Sequence, residues 1–334
     1  MTARPSLSAM APARSMARLK IRLMVGLMFA APALRVSAED APTSLGRIEI
    51  RLAFSRSMFA DVNENDARAA VKVYAQSIGD QNGVFVDSKP ALLEGTNAIA
   101  EVLKNKQAEL LVLTTTEFLA LEAQGLEGPL LLSRVKESSA EDYLLLSRQD
   151  GPLGTVEDLT GRRLVISGDV RSSLARSWLE VLCREHGLGP ADQALAQVTT
   201  ASKATLVVLP VFFGKADACI VTRNSWEVMC ELNPQLKRQL RIVAAAPPVV
   251  PALTCFRTGL TATAKQQIIQ AVESSASRPA FEQLLVLFKS DSIGNEPLSV
   301  LAGTRELVTR YNHLCSDVIP AAALTRSGAP GGGK

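Results

Sequence analysis

The sequence contains few of the residues that enzymes use most for acid–base and metal chemistry. It has 2 histidines and 5 cysteines among 334 residues, and aromatic side chains make up 4% of it. No G-x-S-x-G, H-E-x-x-H or Rossmann glycine motif lies in a suitable strand and helix context. His186 precedes a glycine at a predicted helix end, and His313 lies on a polar helix face. We therefore expect a protein that is not an enzyme and that has neither a metal site nor a cofactor.

The cysteines are too few and too scattered for a disulfide scaffold in a chain of this length. Their odd number leaves at least one without a partner in the chain, and the sequence does not choose a pair. They are Cys183, Cys219, Cys230, Cys255 and Cys315.

Acidic residues are missing from the first 38 positions, which carry six basic residues, a short apolar run "LMVGLMFAAPAL" and then "VSA". This pattern predicts a secretory signal peptide cleaved after Ala38, because the run is shorter than the roughly 20 residues of a membrane span. Subtracting those six from 36 basic residues leaves 30 against 33 acidic ones, a net charge of −3. The exported protein thus lacks the basic character of a nucleic-acid-binding protein.

Strand-like and helix-like segments alternate along the rest of the chain. "RIEIRLAF" is typical of a strand, Asn63 is a suitable cap for the helix that follows, and "AELLVL" is typical of a buried strand before another helix. The order predicts an α/β fold with mostly parallel, doubly wound sheets. A new helix–strand series begins near residue 140, and a proline-rich segment near residue 250 indicates a return crossing.

Residues 167–173, "SGDVRSS", stand between the strand "RRLVI" and a helix. Such loops gather at the carboxyl ends of parallel strands, where helix N–H groups attract anions. Gly168 permits an unusual backbone angle, and Ser172 and Ser173 supply hydroxyls. Arg171 supplies a planar guanidinium group that can donate two parallel hydrogen bonds to an oxyanion. "SRSMF", "TTTEF" and "TRNSW" occupy corresponding positions, although each serine or threonine is equally suited to capping a helix.

The segments "DLTGRRLVISGDVRSSLARSWL" and "GKADACIVTRNSWEVM", in this order after the signal-like start, resemble the phosphate/phosphonate-type periplasmic solute-binding proteins of ABC transporters. The resemblance covers roughly residues 47 to 290. It implies a monomeric type II periplasmic binding fold with two lobes, two crossing segments and a cleft that closes on a ligand. The implied organisation is 1–38 signal peptide, 39–139 lobe 1, 140–248 lobe 2, 249–320 the return of lobe 1, and 321–334 a disordered tail.

The resemblance also assigns ligand-binding positions, all in the four loops. They are Ser55, Met58, Thr114, Thr115, Ser172, Ser173, Thr222 and Arg223, to which the loop chemistry adds Arg171. Relatives often carry Ser-Thr-Ser-Gly in the third loop, whereas this chain has a leucine in place of the glycine and an added arginine. We expect Glu117 to face solvent, since a carboxylate in the cleft would repel an anion.

The implied function is capture of phosphate, phosphite or a phosphonate in the periplasm for delivery to an ABC permease. Two alternatives stay open at this point. The same closing cleft suits a module that signals to a membrane sensor, and the same fold suits a sulfonate, a carboxylate or a vitamin precursor.

Overall fold

The computed structural model describes residues 48–60, 63–82, 84–87, 89–275 and 278–316. The predicted signal peptide and the tail from residue 321 lie outside these residues. Among the described residues no helix is both long and apolar enough to cross a membrane. All five cysteines are free thiols in this structure.

The strands and helices alternate as the sequence predicts. The strands are β1 (Ile48–Ile50), β2 (Leu52–Ser55), β3 (Val84–Val86), β4 (Ala91–Leu93), β5 (Leu110–Thr114), β6 (Leu126–Arg134), β7 (Tyr143–Arg148), β8 (Arg163–Ser167), β9 (Gln197–Ala201), β10 (Ala218–Thr222), β11 (Leu240–Ala245), β12 (Ala252–Arg257) and β13 (Ser292–Glu296). The helices are α1 (Glu64–Asn82), α2 (Gly95–Lys104), α3 (Thr115–Leu121), α4 (Ala175–Glu185), α5 (Ala191–Ala194), α6 (Ala204–Phe212), α7 (Arg223–Leu232), α8 (Pro234–Gln239), α9 (Ala262–Ser274), α10 (Pro279–Leu287) and α11 (Ala302–Ser316).

The first large sheet has the order β13-β6-β12-β5-β2-β4. Strands β2, β4 and β5 pair in parallel, whereas β12 is antiparallel to both of its neighbours and β13 is antiparallel to β6. The fold class is as predicted, but the sheet is mixed rather than mostly parallel. Parallel neighbours need a crossover connection, usually a helix, whereas β12 arrives directly from the other sheet.

The second large sheet has the order β11-β7-β10-β8-β9 and is mixed in the same way. Strands β8, β9 and β10 are parallel, and β7 and β11 run antiparallel to their neighbours. Each sheet carries buried apolar residues on both faces, as expected for a sheet covered by helices on two sides. We call the two sheets with their helices the first and second lobes.

Two segments, residues 135–142 and 246–251, carry the chain between the lobes. They are joined by a bridge in which Glu141 N donates to Val249 O at 2.7 Å and Val249 N donates to Glu141 O at 3.0 Å. The second segment contains the proline-rich crossing that the sequence predicts.

The last helix, α11, packs differently from the sequence-based assignment to lobe 1. Its buried Leu307 belongs to the core of the second lobe, and Arg310 Nε donates to Glu185 of α4 at 2.9 Å. Its first turn touches the crossing, where Val250 N donates to Thr304 Oγ1 at 2.7 Å. The helical periodicity of the sequence shows which face of a helix is buried, but not which lobe buries it.

Candidate functional site

A polar cleft lies between the two lobes at the carboxyl ends of their parallel strands. Its cavity volume is about 260 Å³. The lining residues, which define the polar cleft, are Ser57, Ala60 and Thr114 from the first lobe and Ile166, Ser167, Gly168, Asp169, Val170, Ser172, Ser173, Arg176, Val198 and Thr200 from the second. Three predicted site residues, Thr114, Ser172 and Ser173, therefore line one cleft.

The second-lobe side of the polar cleft contains an unpaired buried hydroxyl. Ser172 is 4% exposed and its Oγ has no hydrogen-bond partner. Asp169 shapes the loop, because its Oδ1 accepts from Ser172 N at 2.9 Å and its Oδ2 accepts from Ser167 Oγ at 3.1 Å. The residue before α4, Leu174, supplies no capping side chain, so the helix N-terminus has no hydroxyl or carboxylate cap from that position.

Gly168 is needed here for space rather than for an unusual backbone angle. Its φ is not among the positive values of the chain, which corrects the expectation from the sequence. A Cβ at this position would lie 2.4 Å from Thr200 Cγ2, far inside normal contact. The glycine lets the loop after β8 run close against the end of β9.

The first-lobe side of the polar cleft is built around a buried carboxylate. Glu117 is 9% exposed and accepts from Ser55 Oγ at 2.6 Å, Ser57 Oγ at 3.1 Å, Thr114 Oγ1 at 2.8 Å and Thr114 N at 2.9 Å. The expectation that Glu117 faces solvent is wrong, because the hydroxyls of two loops converge on it. Thr114 and Glu117 also form the capping box of α3.

Arg171 has a carboxylate partner within the protein. Its guanidinium pairs with Glu141 on the first crossing segment, and the side chains are 12% and 4% exposed. Burial raises the pKa of Glu141, and Arg171 opposes this shift. Tyr143 Oη donates to Arg171 O at 3.0 Å, so both ends of the arginine are held at the lobe junction.

Four other predicted residues do not line the polar cleft. Ser55 is fully buried beneath Glu117, and Thr115 N donates to Pro251 O at 2.9 Å while its buried Oγ1 has no partner. Thr222 caps α7 by accepting from Ser225 N at 3.2 Å. Arg223 Nε donates to Asp142 Oδ2 at 2.9 Å.

Met58 and Arg171 line a second space, the apolar cavity, of about 140 Å³. It lies against one face of the first sheet, under α1, α9 and α10. The lining residues, which define the apolar cavity, are Leu52, Phe54, Met58, Val71, Leu110, Val112, Leu131, Ser133, Ser139, Val170, Arg171, Pro251, Ala252, Leu253, Thr254, Val272, Leu284, Leu285, Phe288, Ser290 and Ile293.

Several lining residues of the polar cleft were not predicted as site residues, namely Ser57, Asp169, Arg176 and Thr200. A topological signal could have found Thr200, because it sits near the end of β9, beside Ile166 of β8 in a parallel pair. Ser57 lies inside the quoted loop "SRSMF", and Arg176 follows the serine loop by three residues. Within the described part of the chain, no group of three histidine, cysteine or acidic side chains could hold a metal ion.

Comparison with solved structures defines the class of this fold. The chloride-bound structure of XAC2383 from Xanthomonas citri matches with a TM-score of 0.58 and 18% sequence identity, and the match covers 81% of this chain and 99% of that chain. Its ATP-bound form matches with TM-score 0.55 and 17% identity over the same shares. PhnD1 from Prochlorococcus marinus in complex with methylphosphonate matches with a TM-score of 0.54 and 12% sequence identity, and the match covers 80% of this chain and 99% of that chain. The protein has the type II periplasmic binding fold.

The sequence then identifies the family. A model described as "ABC transporter, phosphonate, periplasmic substrate-binding protein" matches residues 57–285, well over half of the chain. The chain belongs to this family, whose members bind substrates without transforming them. A search of curated proteins finds no match to this chain.

Proposed function

We propose that this protein captures a small oxyanion of the phosphate, phosphite or phosphonate type in the polar cleft and delivers it to an ABC permease. The signal peptide, cleaved after Ala38, directs it to the periplasm, where it acts as a monomer. Rotation of the lobes about the two crossing segments closes the cleft. The closed form is the one that docks on the permease.

The unpaired hydroxyl of Ser172 carries this proposal. A buried hydroxyl without a partner costs free energy, and an oxyanion in the polar cleft would supply the missing acceptor. The adjacent N-terminus of α4 adds N–H groups and a partial positive charge on the same side. The neighbouring Ser173 is exposed, and its hydroxyl donates to Pro251 O at 3.2 Å. This hydrogen bond links the serine loop to the second crossing segment.

The relatives support an anionic ligand. Solved structures with this fold hold chloride and ATP in XAC2383 and methylphosphonate in PhnD1. All three are anions, and two contain phosphorus–oxygen groups. The Glu117 carboxylate on the opposite wall limits how closely an anion approaches the first lobe, so we assign the primary contacts to the second lobe.

The test is calorimetric titration of the exported protein, purified from the periplasm, with phosphate, phosphite, methylphosphonate and sulfate. We expect one or more of these anions to bind and Ser172→Ala to weaken that binding about tenfold or more, because hydrogen bonds to charged groups contribute about 1.5–3 kcal/mol. Ser177→Ala, in the helix α4 that follows the loop and outside the polar cleft, is the matched control. Equal affinity of Ser172→Ala and the wild type would contradict the proposed site.

A further inference from the structure

The apolar cavity adjoins the polar cleft along a single strand. On β5, Val112 lines the apolar cavity and Thr114 lines the polar cleft. Residues two apart on a strand point to the same face and lie about 7 Å apart. The two spaces are therefore consecutive parts of one sheet face.

The boundary between the two spaces is built from residues that belong to both sides. Val170 lines the polar cleft and the apolar cavity alike, while the consecutive residues Ser57 and Met58 line one each. The second lobe contributes Val170 and Arg171 to the cavity lining, so the cavity opens toward the lobe interface. A ligand held beside Ser172 would share the polar cleft with Val170, which also lines the apolar cavity.

Most side chains that line the apolar cavity are hydrocarbon, so the cavity favours an apolar part of a ligand. Phe54, Val112, Thr254 and Leu131 are register neighbours across four adjacent strands and form a row on its floor. Helices α9 and α10 cover the row with Val272, Leu284 and Leu285. The cavity volume of about 140 Å³ compares with about 150 Å³ for apolar cavities that remain dry and take up a benzene-sized molecule.

We infer that the ligand is an oxyanion with a hydrocarbon substituent, of about four to six carbons by this volume comparison. Its charged head binds in the polar cleft and its alkyl or phenyl group enters the apolar cavity. This inference rests on the proposed function and narrows it from small oxyanions in general to organophosphonates or phosphate monoesters with an apolar group. The polar lining residues of the apolar cavity are Ser133, Ser139, Arg171, Thr254 and Ser290, and the other sixteen are apolar.

The experiment compares methyl-, butyl-, hexyl- and phenylphosphonate with inorganic phosphate and uncharged hexanol on the exported protein. Burial of a methylene tightens binding about three- to fourfold, so butylphosphonate should bind about 30-fold or more tighter than methylphosphonate. Val112→Phe fills the cavity and should remove this gain, so that butylphosphonate binds the variant no tighter than methylphosphonate does. Val286→Phe, an equal change on α10 at a side chain that is 78% exposed, should keep the gain.

The outcomes separate the two proposals. Binding of phosphate and methylphosphonate with no gain from longer chains overturns the inference and leaves the proposed function standing. If hexanol binds as tightly as hexylphosphonate, the anionic head group does not contribute to binding, and this result overturns both proposals. Binding of phosphate without binding of any phosphonate overturns the inference alone, whereas no binding of phosphate or of any phosphonate overturns both proposals. The chain-length series on the wild type decides these cases even if Val112→Phe does not fold.

Discussion

The two walls of the polar cleft use similar side chains in opposite ways. On the first lobe, the hydroxyls of Ser55, Ser57 and Thr114 all donate to the buried Glu117. On the second lobe, the hydroxyl of Ser172 is buried without any partner. Hydroxyl loops at the ends of parallel strands are therefore not equivalent as ligand sites. What separates them is whether the protein already supplies the acceptor.

The charged side chain of Arg171, like the hydroxyls that donate to Glu117, already has a partner within the protein. It was expected to hold an oxyanion, but it pairs with Glu141 at the lobe junction. Breaking a buried ion pair by removing one partner costs about 3–5 kcal/mol, because the other charge is left without compensation. We expect Arg171→Met to lower the free energy of unfolding by about that amount in denaturant titrations. Arg223→Met, which removes a half-exposed pair with Asp142, should cost less than about 1 kcal/mol.

The cost of Arg171→Met should depend on pH. Burial raises the pKa of Glu141, and loss of Arg171 removes an interaction that lowers it, so the pKa rises further. A raised carboxyl pKa means that the folded state loses stability as the pH rises through that value. The substitution should therefore cost less at pH 5 than at pH 8. A pH-independent cost would show that Arg171 acts through packing and not through the charge of Glu141.

Glu117→Gln tests the first-lobe wall directly. An amide keeps the shape but offers one acceptor oxygen where the carboxylate accepts four hydrogen bonds, so we expect a loss of about 2 kcal/mol in stability. Glu101→Gln on the exposed face of α2 is the control. Removing the negative charge should also tighten phosphate binding. Weaker phosphate binding would mean instead that Glu117 orients the hydroxyls toward the ligand, and the contrast between the walls would fail.

The sequence predicts local features well because they depend on neighbours in the chain. The strand–loop–helix of residues 163–185 and the Asn63 cap, which accepts from Asn65 N at 2.9 Å, follow from periodicity and capping chemistry. The partners of Glu117 and Arg171 do not follow in this way, since Ser55 lies 62 residues from Glu117 and Glu141 lies 30 residues from Arg171. Only the assembled lobes decide whether such a group meets a ligand or another side chain.

Gly168→Ala perturbs the second-lobe wall without touching a hydrogen-bonding side chain. The new Cβ would meet Thr200 Cγ2, and overpacking of this kind costs about 1–3 kcal/mol. Adding Thr200→Ser removes that methyl and should recover most of the loss in thermal unfolding. Gly154→Ala, where the nearest atom lies at 3.5 Å, should change stability little. Failure of the double variant to recover would place the constraint in the backbone of the loop.

The smallest expected effect is the sharpest test of the contrast between the walls. Ser55→Ala deletes a buried hydroxyl that donates to Glu117 and accepts from Ser57 N at 3.2 Å, so it should cost about 1–3 kcal/mol of stability. Ser172→Ala deletes a buried hydroxyl that has no partner in the free protein and therefore costs free energy there, so the unfolding free energy of this variant should equal or exceed that of the wild type. Because both residues are nearly fully buried serines, chemical denaturation of the two variants isolates the difference in pairing. An equal loss in both would mean that Ser172 is paired in the free protein, and the second-lobe wall would then be as saturated as the first.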